Sequence, residues 1–528
     1  MSAVATHLRR LVSCGSWNNS PLQVLEDVRL HAIVNRSGND VRGGEIGMAV
    51  PVLHPPLALA GDQPGPFATS ATGRDLRILI DLPEKQRQRD DSVAGSGLGV
   101  PDPARLLWTL GQRSDIATFW MAEPGDADGP GAVRLDEPHL ADDQMDFTVV
   151  AENGKFIRAV WPYRQWEQLA TQSLPAAVNA QAWLRDVLVA RVAIELRVDL
   201  LVTSSKTLLD APQSWLAEAN PMSAEQALGV VGLYLRNRRE YPVAGDGRSW
   251  LTFGEHLLFW SAARAQLPSG WRWGSALAAH GTAIGRRGPS YLSGSLHERV
   301  VRMLRCRDRV HTALMEPQNN QTANQVTEAL DYFMVNLVGA FDAAARTAHL
   351  ALGLDPQKRH LAKWQNKDWR KLVRGTDPAL ADLFAPGTAH ARVFEICRTL
   401  RNTVHGEALH SSAVQQAGKP RQTLVALPED DAEDLGKLFD QLGGRDEWGL
   451  RMVASKQLHI APAVLIERLL PQAFQMLDDA LRLTPVERLD GATTSALRTE
   501  PPDDTSFGLG TRTRVSLLFG LPFRELTS

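Results

Sequence analysis

The spacing of apolar positions divides the chain into an alternating first part and a helically stepped second part. Up to about residue 165, short apolar runs alternate with long turn-rich stretches. Val28 to Val34, Ile46 to Leu53 and Leu76 to Asp81 read as strands, the last ended by Pro83. Phe147 to Val150 and Phe156 to Val160 flank Glu152-Asn153-Gly154-Lys155, and the Asn-Gly pair predicts a hairpin. From Pro175 to Leu196 the step lengthens to threes and fours, at Leu184, Leu188 and Val192, which predicts a helix. Asp199 to Thr203 then predicts a buried strand, making an α/β unit.

Helical stepping dominates from Ser223-Ala224-Glu225-Gln226, a capping box, onward. Gly281 to Ser295 carries several glycines and predicts a linker. Leu296 to Met315 predicts a helix with Arg299, Arg302, Arg305, Arg307 and Arg309 on its outer side. A second capping box, Thr322 to Gln325, opens a long helix whose apolar step runs unbroken to Ala348, with Gly353 ending it. Strands at Gln422 to Leu427 and Leu450 to Ala454 enclose an acidic helix, Glu429 to Leu442, as an insertion. Pro462 starts a last long helix that Pro471 is expected to kink. A loose linker is expected from 485 to about 510, followed by an apolar segment, Val515 to Phe523, able to dock.

These elements predict a multidomain α+β protein. An N-terminal β-rich domain spans 1–165 and an α/β to helical region 166–290. A helical bundle follows over 291–484, with a small β/α insertion near 420–455, and then a tail over 485–528. A length of 528 residues agrees with about three domains. Net charge is −3, which excludes attraction of nucleic acid to the protein as a whole and leaves that role to a local basic patch. Cys14, Cys306 and Cys397 are few, distant and odd in number, which points to a reducing, cytoplasmic setting. No apolar run reaches membrane length, so no membrane contact is expected. The histidines pair with neither Cys nor His at metal-ligand spacing, and Gly95 to Gly99 neither follows a strand nor opens a helix. No metal or cofactor is therefore expected.

The densest chemistry lies between Val393 and Gly406. On a helix turning about 100° per residue, Val393, Cys397, Leu400 and Val404 form an apolar stripe. Arg398, Asn402 and His405 fall together beside it, with Arg401 on the border. An imidazole can remove the proton of a ribose 2′-hydroxyl, a guanidinium can hold the phosphate, and an amide can orient either. This constellation resembles the motif-bearing helix of HEPN domains: an arginine, often followed by Asn, Asp or His, then a histidine after four to six residues. Arg398 and His405 match that spacing with six residues between them, while Arg401-Asn402 matches the dipeptide but leaves three residues before His405, so the pattern is split between two arginines. The order of long helix, long helix, motif helix and last helix also resembles that family's bundle. The resemblance implies a homodimer with a composite RNA-cleaving site, and a metal-independent endoribonuclease acting as a toxin or in antiphage defence. A regulatory N-terminal region and a regulatory partner protein go with that role. The other reading is a non-catalytic HEPN-like module for RNA binding or dimerisation.

Just before this helix, Lys358 to Arg374 is basic and interleaves two tryptophans. Lys363, Trp364, Lys367, Trp369, Arg370 and Lys371 are the RNA-binding candidates. An amphipathic helix with Trp364 facing the core fits the same pattern. The helix-strand segment 175–203 also bears a faint resemblance to PIN-like nucleases. Asp81 and Asp186 are the acids that remain, and Ser204-Ser205 stands where a further acid belongs. Short of carboxylates for a divalent metal, the segment reads as a degenerate or merely look-alike α/β domain.

Overall fold

The computed structural model describes residues 65–67, 73–86, 100–123, 129–139, 144–151, 154–160, 163–164, 167, 179–210, 219–245, 250–406, 409–414, 421–453, 457–493, 497 and 509–523. The strands expected at Val28 to Val34 and Ile46 to Leu53, and the glycine run at 95–99, lie outside these residues.

The protein is α+β, with a mixed sheet in its N-terminal part and a mainly helical C-terminal half. The chain passes through β1 (Leu76–Asp81), α1 (Pro103–Leu110), β2 (Ile116–Met121), β3 (Ala132–His139), β4 (Gln144–Ala151) and β5 (Gly154–Val160). It continues through α2 (Ala180–Glu195), β6 (Leu200–Thr203), α3 (Lys206–Leu209), β7 (Pro221–Met222) and α4 (Ala224–Asn237). The strands form one sheet in the order β5-β4-β3-β2-β1-β6-β7. All pairs from β3 to β7 are parallel, and β4 and β5 extend the edge antiparallel. The predicted Asn-Gly hairpin closes with Ala151 opposite Gly154.

Apolar side chains on both faces of β1 explain its central place, since a parallel strand is covered on both sides. Leu79 packs into a core with Val187, Ala190 and Leu201 under α2. Ile78 and Ile80 pack on the other side with Leu107, Val230 and Val231, under α1 and α4. The domain boundary expected at 165 therefore cuts through one sheet. Pairing of β1 with β6 joins residues more than a hundred positions apart, and no local period announces it.

The helical half begins with the β8 (Pro242–Gly245) and β9 (Trp250–Thr252) hairpin, then α5 (Glu255–Gln266) and α6 (Gly270–Ala283). The linker expected at Gly281 to Ser295 is instead mostly helix. Only a short turn separates α6 from α7 (Gly288–Leu314), and Gly285, at φ +63°, supplies its left-handed residue. α8 (Asn320–Ala351) packs back along α7. Its capping box is formed by Asn319 and Thr322, one turn before the one expected at Thr322 to Gln325. α9 (Lys367–Thr376), α10 (Pro378–Asp382) and α11 (Ala389–Gly406) follow. The insertion is a four-stranded sheet with one helix. Its strands β10 (His410–Val414), β11 (Gln422–Ala426), β12 (Leu450–Met452) and β13 (Leu458–Ile460) order as β10-β11-β13-β12, with α12 (Ala432–Asp440) between β11 and β12. α13 (Pro462–Leu483) carries Pro471 without interruption.

The expected linker after 485 packs in part, with Val486, Leu489 and Ala492 buried in the bundle core. The last helix, α14 (Leu509–Phe519), lies between the sheet unit and the bundle, touching α4 and α5. Gly232 of α4 makes this possible: a Cβ there would stand 1.9 Å from the Leu518 carbonyl oxygen. Arg236 donates to that oxygen at 2.6 Å and to both oxygens of Asp308 on α7. Arg307 donates to the Phe519 carbonyl at 2.7 Å. Two guanidiniums thus satisfy carbonyls at the helix C-terminus, where cations are favoured. Arg307, expected on the outer side of its helix, is fully buried. α7 is enclosed on more than one side, so its polar face meets Glu467 of α13 instead of water. Among the described residues, no helix is long and apolar enough to cross a membrane.

Candidate functional sites

α11 is held in the bundle by Val393, Ile396, Cys397 and Leu400, all buried, with Val404 packed partly against the same core. The predicted stripe is the face that packs, and of the polar residues beside it Asn402 is exposed while Arg398 and Arg401 are half-buried. Arg398 is half-buried and bonded to Glu395 one turn earlier, through Nε at 2.9 Å and through Nη2. That hydrogen bond raises the guanidinium pKa further and fixes its charge. Asn402 is exposed and accepts from Arg401 Nη1 at 3.3 Å. Arg401 also acts electrostatically on Asp342 of α8. Residue 405 belongs to the helix, and its backbone falls about 20° around the axis from 398 and about 40° from 401. Its side chain lies outside the described residues. Asn402 is thus engaged by Arg401, while Arg398 is engaged by a carboxylate that its spacing from His405 did not reveal. Gly406 is the last residue of the helix.

The basic segment before α11 divides. Trp364 and Trp369 are in the core, at 1% and 0% exposure. Trp364 stacks on Phe384 with centroids 4.5 Å apart, and Trp369 Nε1 donates to His349 Nδ1 at 3.2 Å. Neither indole face is open to a base, which corrects their assignment as RNA contacts. The apolar bodies of two large rings outweigh the basic character of their neighbours. Arg370 is half-buried and donates to the Phe384 carbonyl at 2.9 Å. Lys363, Lys367 and Lys371 are exposed.

A second polar site lies at the C-terminal ends of β1, β2 and β6, where the sheet order reverses at β1. Ligands of open parallel sheets enter at such a point. A cleft of 420 Å³ there is lined by Asp81, Leu82, Pro83, Met121, Glu123, Arg185, Thr203, Ser204 and Ser205. Asp81 is buried and takes both Arg185 donors, at 2.6 and 3.2 Å, and the Thr203 hydroxyl at 3.2 Å. Ser205 donates to Asp186 at 2.5 Å. Burial pushes the Asp186 carboxyl up, against the hydrogen bonds from Ser205 and Thr207. The sheet and α2 bring together the two acids singled out in the sequence, but Arg185, which was not singled out, neutralises the first. Among the described residues no three His, Cys, Asp or Glu side chains gather to hold a metal ion.

No family model matches the chain, and no curated protein or solved structure is detectably similar to it.

Proposed function

We propose that the chain is a metal-independent endoribonuclease of HEPN type, acting as a homodimer in toxin or antiphage defence. Its reacting groups stand on α11. The observation that carries this reading is the ridge of that helix: Arg398, half-exposed and held charged, shares a face with residue 405 two turns on, beside Arg401 and Asn402. His405 takes the proton of the 2′-hydroxyl, the 2′-oxygen attacks phosphorus, and the 5′-oxygen departs to leave a cyclic phosphate. Arg398 or Arg401 holds the non-bridging oxygens as their charge grows. Asn402, hydrogen-bonded to Arg401, orients that guanidinium. The N-terminal 290 residues carry the regulatory role, together with a regulatory partner protein.

Cleavage of labelled RNA by the purified chain tests this. His405→Ala should lower the rate by about 10²- to 10⁴-fold, the usual contribution of a general base, with the far-UV spectrum and the melting temperature unchanged. RNA cleavage that survives the substitution would refute the assignment.

One observation favours the other reading, a HEPN-like module without catalysis: Glu395 already occupies the Nε/Nη2 edge of Arg398. On that reading the polar ridge braces a dimer. His405→Ala then changes the dimer dissociation constant and no rate.

A further inference from the structure

Next to α11, four cations from four segments of chain surround one carboxylate, and a fifth stands beside them. Asp342 of α8 lies within electrostatic reach of Arg299, Arg346, Lys363 and Arg401, and Arg302 stands beside Arg299. The geometry follows from helical spacing. Arg299 and Arg302 lie one turn apart on α7, and Asp342 and Arg346 one turn apart on α8. Arg299 reaches across between the helices: a Cβ on Gly339 would stand 2.2 Å from its Nη1, so the missing side chain at 339 leaves the guanidinium its place. Arg302, Arg346 and Lys363 are exposed, and Arg299 and Asp342 half-buried. Asp342 Oδ1 is shut from solvent with no hydrogen-bond partner, so the carboxylate tempers the cluster without being bonded into it. Desolvation first, then the charges of Arg302 and Arg346, press the Arg299 pKa down against the pull of Asp342, so the one carboxylate offsets the repulsion only in part. This concentration of positive charge sits on a chain whose net charge is −3. Like charges held together against repulsion stabilise no fold, and a polyanion relieves them.

We infer that Arg299, Arg302, Arg346, Lys363 and Arg401 form a track for the phosphodiester backbone of single-stranded RNA, delivering the strand to the ridge of α11. The inference rests on the ribonuclease reading for its destination, since Arg401 belongs to both surfaces. Phosphates along a strand meet the cations in turn. Asp342, set among them, weakens the grip so that the strand can advance.

Binding of a labelled single-stranded RNA oligonucleotide to the full chain, followed by fluorescence anisotropy over a series of salt concentrations, tests the track. The doubly substituted Arg299→Gln/Arg346→Gln protein should bind at least about tenfold more weakly in low salt. The slope of log affinity against log salt should fall by about 1.4, at about 0.7 per lost phosphate contact. Asp342→Asn should shift affinity the opposite way, tightening binding, a sign that misfolding does not produce. Unchanged affinity in the double variant, or weaker binding in Asp342→Asn with the melting temperature preserved, overturns the track. So does tight, patch-dependent binding to phosphatidylserine vesicles without binding to RNA. The two proposals fail separately. His405→Ala that retains binding but loses cleavage leaves both standing. Patch-dependent binding by a chain that never cleaves RNA removes the ribonuclease and keeps the track. His405-dependent cleavage with binding indifferent to the patch does the reverse.

Discussion

Arg307 and Glu467 form a two-point ion pair sealed from solvent, Nε to Oε1 at 2.6 Å and Nη2 to Oε2 at 3.0 Å. His311 also bonds Oε1, and the third guanidinium edge holds the C-terminal helix. Removing one partner of a buried pair leaves the other charge stranded, at about 3–5 kcal/mol. Glu467→Gln should lower stability by that order in chemical denaturation. Arg307→Met/Glu467→Met should lose less than the sum of the two single changes, and additive losses would disprove the coupling.

The same pair sets an acid limit. Burial alone would raise the Glu467 carboxyl, but Arg307 and His311 outweigh it and hold the pKa near about 2. Unfolded, the group titrates near about 4.3. A depressed carboxylate stabilises the fold in full above its unfolded value, and that stability disappears as pH falls from about 4.3 through about 2. Asp479 adds to the same window. Hydrogen bonds from His390, Gln475 and Arg482 overcome its burial and hold it at about 2. A melting temperature that stays level from pH 5 to pH 2 would contradict this.

His297 acts at milder pH. It is buried against Trp260, with Nδ1 on the Ser293 carbonyl at 3.1 Å, Gly270 packed on the ring and Arg264 facing it. Burial and the Arg264 charge push its pKa down to about 3, so it is neutral in the fold. Below about 6.5 the unfolded chain takes up a proton that the folded chain refuses. Stability therefore declines as pH drops from about 6.5 toward about 3. His297→Leu should flatten that decline, read from melting temperatures across the range.

Glu395 is the lever on the catalytic reading. Glu395→Gln removes the countercharge from Arg398 and frees a guanidinium edge for phosphate. If α11 cleaves RNA through Arg398, the variant should cleave severalfold faster and Arg398→Ala about 10²-fold slower. A rate indifferent to both substitutions would leave Arg401 as the phosphate clamp.

Much of this architecture is legible in local patterns and some of it is not. The Asn153-Gly154 hairpin, the packed stripe of α11 and the insertion strands at 422 and 450 follow from turn chemistry and periodicity. Pairing of β1 with β6 and the burial of Arg307 do not, because each is decided by a partner distant in sequence. The tryptophans at 364 and 369 misled because a basic segment with aromatics describes both an RNA surface and a buried turn. In the track, Asp342 was the available clue: an acid set in the alanine-rich last part of a long helix, four residues before Arg346.

The position of α14 bears on how the two parts are held together. The carbonyls of Leu518 and Phe519 are the acceptors that Arg236 and Arg307 require. Prising α14 away would deprive both guanidiniums of those acceptors at the seam between sheet unit and bundle, leaving Arg236 to Asp308 and Arg307 to Glu467.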